Sequence, residues 1–151
     1  MPTINLTTFI HSNLEIVFDL SRSIDLHKIS TQKTDEEAIA GVTTGLIGLD
    51  EWVTWRAKHF GIYQKLTSKI TAFDRPNSFT DEMVKGIFKS FKHQHIFKKT
   101  ENGVEMTDIF EYKSPFVLYS LSSLKVSTLV LKSNFIFLSE LKLSIKSPCT
   151  V

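Results

Sequence analysis

The chain has little with which to staple, anchor or interrupt itself. Its single cysteine, Cys149, can form neither an intrachain disulfide nor a cysteine-rich metal centre, so the fold must rest on packing, and a cytoplasmic location is expected. No run of about 18 apolar residues is available to cross a bilayer. The nearest approach, 129–138, is interrupted by Lys132, Ser133 and Asn134, so no membrane span is expected. The start of the chain lacks the basic and apolar stretches of a secretory signal. Neither sign of charge dominates: 18 basic and 16 acidic residues are interleaved and leave a formal charge of +2, which does not suggest nucleic acid. Gly41, Gly45 and Gly48 are not spaced as a phosphate-binding loop, no Gly-Lys-Ser/Thr follows, and no Gly-x-Ser-x-Gly elbow is present.

What is present is a globular composition, 42% hydrophobic and 23% charged, in a length that suits one domain over residues 1–151. Residues 3–10 alternate Ile4, Leu6, Thr8 and Ile10 against Thr3, Asn5, Thr7 and Phe9 and predict a strand. Ser12-Asn13-Leu14-Glu15 has capping-box spacing and predicts a helix carrying Leu14, Val17, Phe18 and Leu20. A second short helix is expected over 24–29, after the Ser21-Arg22-Ser23 break. Polar loop material follows, with a strand entry near Ala38-Ile39-Ala40-Gly41-Val42.

Strands then dominate, at about 49–59, 62–73, 78–86, 90–99 and 103–112, separated by Phe60-Gly61, Asp74-Arg75-Pro76-Asn77, Gly86-Ile87-Phe88 and the hairpin signal Glu101-Asn102-Gly103. Consecutive strands on short connections make an antiparallel meander, and one strand, two short helices and a meander form an α+β pattern.

Side chains alternate across a sheet, so Phe91, His93, His95 and Phe97 share one face while Lys92, Gln94 and Lys98 share the other. Of the lysines near Phe88, Phe91 and Phe97, the same alternation turns Lys92 and Lys98 toward solvent. Taking the apolar set as inward also places Glu51, Val53, Trp55, Ala57 and His59 inside, then Leu66, Ser68 and Ile70, then Phe79, Asp81 and Met83, then Val104, Met106, Asp108, Phe110 and Tyr112. A one-residue slip would move every one of them to the other face. Inward ionisable groups are costly to bury without a partner. Glu51, His59, Asp81, His93, His95 and Asp108 therefore form either a paired network tying the strands together or the polar part of a ligand pocket. His-x-His on a strand with sequence-distant acids is a weak metal signal, and neither a metal nor a cofactor is expected.

The block Gly48-Leu49-Asp50-Glu51-Trp52-Val53-Thr54-Trp55-Arg56-Ala57-Lys58-His59-Phe60-Gly61, with Phe79-Thr80-Asp81-Glu82, Gly86-Ile87-Phe88, Phe91-Lys92-His93-Gln94-His95-Ile96-Phe97 and Met106-Thr107-Asp108, resembles a bacterial branch of the SRPBCC superfamily. That superfamily includes the START lipid-transfer domains, the polyketide cyclases and the birch pollen allergen. The resemblance runs over about residues 4–115. It implies a helix-grip fold, in which a curved antiparallel sheet wraps a C-terminal helix and leaves an apolar cavity. Members mostly bind or carry hydrophobic small molecules, and a minority catalyse cyclisation, dehydration or hydrolysis in the cavity. Residues 117–151 depart from the family pattern: they are rich in Ser, Leu, Val and Phe with Glu140 the only acid, and the β-branched stretch Lys125-Val126-Ser127-Thr128-Leu129-Val130-Leu131 weakens the helical signal.

The expectation is thus a binding protein for a hydrophobic small molecule, with Trp55, Phe79, Phe91, Phe97 and Phe110 as walls, Met83 and Met106 beside them, and Glu51, His59, Asp81, His93, His95 and Asp108 for the ligand's polar end. The alternative is a cyclase- or dehydratase-type enzyme with His93 or His95 as general base and Asp81, Glu51 or Asp108 as the orienting acid. A second alternative is an interaction module that forms a homo-oligomer through its apolar C-terminal segment.

Overall fold

The computed structural model describes residues 2–31, 35–59, 62–86 and 88–113, residue 59 by its backbone alone. Along the described chain the elements are β1 (Thr3–Ile10), α1 (Leu14–Ser21), α2 (Ile24–Ser30), β2 (Glu37–Gly41), β3 (Trp52–His59), β4 (Ile62–Asp74), β5 (Ser78–Lys85), β6 (Ser90–Thr100) and β7 (Gly103–Lys113). They build one sheet in the order β1-β7-β6-β5-β4-β3-β2, with every neighbouring pair antiparallel. The expected meander is β3 to β7. β1 adds to its last strand in unbroken register, from Thr3 opposite Glu111 to Ile10 opposite Val104. This is the α+β arrangement of a helix-grip sheet with two helices. The C-terminal helix, a dimer contact through 117–151 and the His59 side chain are expectations that lie outside the described residues. No helix among the described residues is long and apolar enough to cross a membrane.

Two local details differ from the sequence reading. The first helix is capped by Asn13, not Ser12: Asn13 sits in extended backbone and its side chain accepts from the Glu15 N–H at 2.8 Å. The shorter reach from an amide oxygen to the second helical N–H starts the helix one residue later than the capping box does. The first strand of the meander begins at Trp52, because Asp50 takes a positive φ of 64° and turns the chain just before it. Ser23 caps α2 as a break residue should, accepting from the Leu26 N–H at 3.2 Å.

Gly41 ends β2 at φ 76°, where a side-chain carbon would run into the Trp52 carbonyl of the neighbouring strand. On β4 a bulge between Ile70 and Ala72 resets the alternation. Ala72, inward by strict parity, is exposed, while Phe73 turns onto the core opposite Phe79.

α1 packs its buried residues, Val17 and Phe18, on the inner face of the sheet against β6 and β7. The Phe18 ring meets Phe73, Phe79 and Phe97 edge-on, with centroids 5.3, 5.5 and 5.3 Å away. Asp19, on the next helix position, receives the guanidinium of Arg22 at 2.8 Å and that of Arg75 at 2.7 Å, which ties the helix to the β4–β5 turn. Hydrogen bonding to Arg75 holds the Asp19 carboxyl below its ordinary value despite partial burial, with Arg22 adding to the effect.

Candidate functional site

The inner faces of β5, β6 and β7 carry the ionisable groups in two adjacent cross-strand rows. Asp81 on β5 lies directly opposite His93 on β6, and His95 on β6 lies directly opposite Asp108 on β7. The two-residue repeat of a strand puts both imidazoles on one face, and antiparallel register brings one acid to each from opposite sides. The ring centroids of His93 and His95 are 3.9 Å apart.

Each imidazole therefore stands between two carboxylates. His95 Nδ1 is 2.7 Å and His93 Nε2 is 3.4 Å from Asp108 Oδ1. The other ring nitrogens turn to Asp81 Oδ1, His95 Nε2 at 3.5 Å and His93 Nδ1 at 3.7 Å. Asp108 is the most deeply buried of the four, with 4% of its side chain exposed, and Asp81 the most accessible at 19%. The 2.7 Å approach is close enough for a hydrogen bond, yet its alignment is poor: His93 Nε2, His95 Nδ1 and Asp108 Oδ1 all lack a well-directed partner.

Burial alone would lower the His95 pKa, but contact with Asp108 and then Asp81 outweighs it and raises the ring from 6.5 to about 9. Burial likewise opposes the charge on Asp108, and the two imidazoles overcome that, holding its carboxyl well below the usual range.

The aromatic residues divide into two clusters around this quartet. Trp55, Phe79, Phe97 and Met106 belong to the core that α1 closes. Phe91 and Phe110 join Tyr112 in a second cluster, with Met83, Leu66, Ile4 and Phe88 packed against it. His95 stacks on Phe79 at 4.3 Å, and Phe110 meets His93 edge-on at 5.4 Å, so the quartet sits at the seam. Trp55, on β3, is two strands removed from β5, and its ring lies 4.4 Å from that of His27. Phe88 was not among the expected wall residues. It lies in a connection where alternation gives no signal, yet its ring meets Phe91 at 6.4 Å and Tyr112 at 6.2 Å.

Glu51 is a correction. It is exposed and turned away from the inner face, its carboxylate accepting from the Gly48 N–H at 2.7 Å and closing the loop before β3. The positive-φ turn at Asp50 breaks the alternation that would have carried Glu51 inward. A surface hollow of about 330 Å³ opens near the N-terminus of α1, among Asn13, Glu15, Pro76, Lys99 and Thr100, and none of the quartet lines it.

No family model matches the chain, and no curated protein is similar to it in sequence. Solved structures are similar in fold. TTHA0849 from Thermus thermophilus superposes with a TM-score of 0.74 at 16% identity, over 95% of this chain and 97% of that one. Ginseng major latex-like protein 151 from Panax ginseng gives 0.67 at 17% identity, over 95% and 97%. Ara h 8.0201 gives 0.59 at 12% identity, over 91% and 98%. At such identities the likeness speaks to architecture alone: the chain shares with these structures a helix-grip α+β fold.

Proposed function

We propose that this protein binds a small molecule that is apolar over most of its body and polar at one end, seated on the inner face of the sheet. The observation that carries the reading is the position of the Asp81–His93–His95–Asp108 quartet between two aromatic clusters on that face. Aromatic walls with a few convergent polar groups are the usual make-up of a small-molecule site. Phe91, Phe110 and Met83 supply the apolar contact, and Asp81, the most accessible member of the quartet, meets the polar end. A helix-grip sheet is a container in general terms, and the quartet is what would give this one its selectivity.

The test is solvent extraction of the purified protein followed by mass spectrometry, with displacement of an environment-sensitive dye by fatty acids and by polycyclic aromatics. One extracted or dye-displacing molecule per chain is expected, bound more weakly by Asp81→Asn. A protein that carries nothing and binds no dye would refute the reading.

The 2.7 Å approach of His95 to Asp108 favours a second reading, a cyclase- or dehydratase-type enzyme in which a carboxylate orients an imidazole base. His93 and Asp81 then stand on the side toward substrate. Conversion of an extracted ligand on prolonged incubation, abolished by His93→Gln, is the outcome that reading requires.

A further inference from the structure

The separations around Asp81 fit a shared ion better than they fit hydrogen bonds. Asp81 Oδ1 stands 3.5 Å from His95 Nε2 and 3.7 Å from His93 Nδ1, and these three atoms all lie within 4.8 Å of one another. N–H···O hydrogen bonds run at about 2.7–3.2 Å, so these contacts are too long to be good ones. Ligand atoms bound at about 2.0–2.1 Å around a tetrahedral ion are about 3.3–3.4 Å apart. An octahedral ion with bonds of about 2.1 Å would draw them to about 3.0 Å. The two separations from Asp81 are closest to the tetrahedral case and need only a few tenths of an ångström of closure.

We infer that Asp81 Oδ1, His93 Nδ1 and His95 Nε2 form a binding site for a divalent transition-metal ion of the zinc class, with the fourth position open.

The rest of the quartet supports this assignment. Coordination through His93 Nδ1 and His95 Nε2 leaves the ring protons on His93 Nε2 and His95 Nδ1. Those are the two nitrogens that face Asp108 Oδ1, at 3.4 and 2.7 Å. A buried carboxylate behind metal-ligating imidazoles is the usual outer-sphere partner, fixing tautomer and ring orientation. Charge is compatible as well: with both imidazoles neutral and ligating, the two aspartates balance one divalent ion on a face where uncompensated charge is costly. Two nitrogens and one carboxylate oxygen are also the donor set that zinc-class ions take.

The ligands stand on neighbouring strands, with Asp81 in direct register with His93, so the backbone ladder rather than a loop sets their spacing. The spacing was invisible as a motif because the acid comes from across the sheet. All three ligand atoms belong to the protein, so the ion needs no organic ligand on the face.

The test uses untagged protein stripped with a chelator. Zinc titrated by calorimetry should bind once per chain, and cobalt(II) should give the intense visible absorption of a tetrahedral site. Asp108→Asn, which leaves all three ligands in place, should weaken zinc about 10–100-fold. Asp81→Asn should weaken it further, and His11→Gln, remote from the quartet, should not change it. Long-range nitrogen-proton NMR on the wild type should show zinc shifting His93 Nδ1 and His95 Nε2. No stoichiometric uptake of zinc or cobalt, a folded Asp81→Asn chain that binds as tightly as the wild type, or zinc-induced shifts confined to other histidines would each overturn the assignment. The ligand assays of the preceding section can fail or succeed independently of all three.

Discussion

The inner face of the sheet has two regions built from the same alternation and closed in different ways. Around Phe18 the face is closed by aromatic packing: α1 drives one ring among Phe73, Phe79 and Phe97, and the Arg22 guanidinium, 5.9 Å from the Phe18 centroid, is paired with Asp19. A few residues away on β5, β6 and β7, the face carries two imidazoles and two carboxylates at positions that an ordinary core would give to leucine or valine. Apolar packing accounts for the first region without further purpose. The second spends stability, since buried ion pairs seldom repay their desolvation against an apolar replacement of the same shape. Packing alone does not account for such a group beside a well-made core.

The sharpest way to break this contrast is to remove the pillar of the apolar half. Phe18→Ala should cost about 3–5 kcal/mol, the usual range for a fully buried phenylalanine, read as the shift in urea midpoint. A small effect would mean that α1 does not anchor the sheet. Asp108→Asn should cost less, about 1–3 kcal/mol, because it leaves the imidazoles buried beside a neutral amide. In the same variant the His95 titration should fall back toward 6.5 from about 9. A variant more stable than the wild type would show that the quartet is a net burden on the fold, which sharpens the contrast further.

Acidity separates the halves too, because the raised imidazole and the deeply buried carboxylate both belong to the second one. With divalent ions chelated, the raised pKa of His95 contributes stability that is full below 6.5 and is lost as pH rises through about 9. The lowered pKa of Asp108 contributes stability present above 3.8 and lost as pH falls toward its folded value. The unfolding midpoint of the chelated protein should therefore be highest between roughly pH 4 and 6.5 and decline on the alkaline side, with the decline absent in Asp108→Asn. A flat profile from pH 6 to 10 would remove the electrostatic account of the quartet. The smallest effect belongs to the helix start: Asn13→Ala should cost about 1 kcal/mol and leave ligand and metal assays untouched, confining the change to the apolar half.

Much of this was legible in the chain because strand periodicity is a local property. The alternation in Phe91-Lys92-His93-Gln94-His95-Ile96-Phe97 needs only neighbouring residues to show that the histidines travel with the phenylalanines, and the structure places them so. Glu51 failed for an equally local reason that alternation cannot express, a positive-φ turn at Asp50 that takes it off the strand. Phe73 reaches the core against strict alternation because a bulge adds a residue to β4 without any mark in composition. The pairing of each histidine with both acids was not legible, since it depends on which residue of β5 and of β7 stands opposite.

By itself the sequence determined the α+β order, the two short helices, the meander and the shared face of Phe91, His93, His95 and Phe97, because hydrophobic periodicity and turn chemistry act within a few residues. Only the tertiary structure decided that Asp81 and Asp108 clasp the same two imidazoles, that α1 covers one half of the face, and that Asp81 stands 3.5 and 3.7 Å from the two rings. Those facts follow from strand register and helix docking, which are fixed by contacts between residues far apart in the chain and leave no local signature.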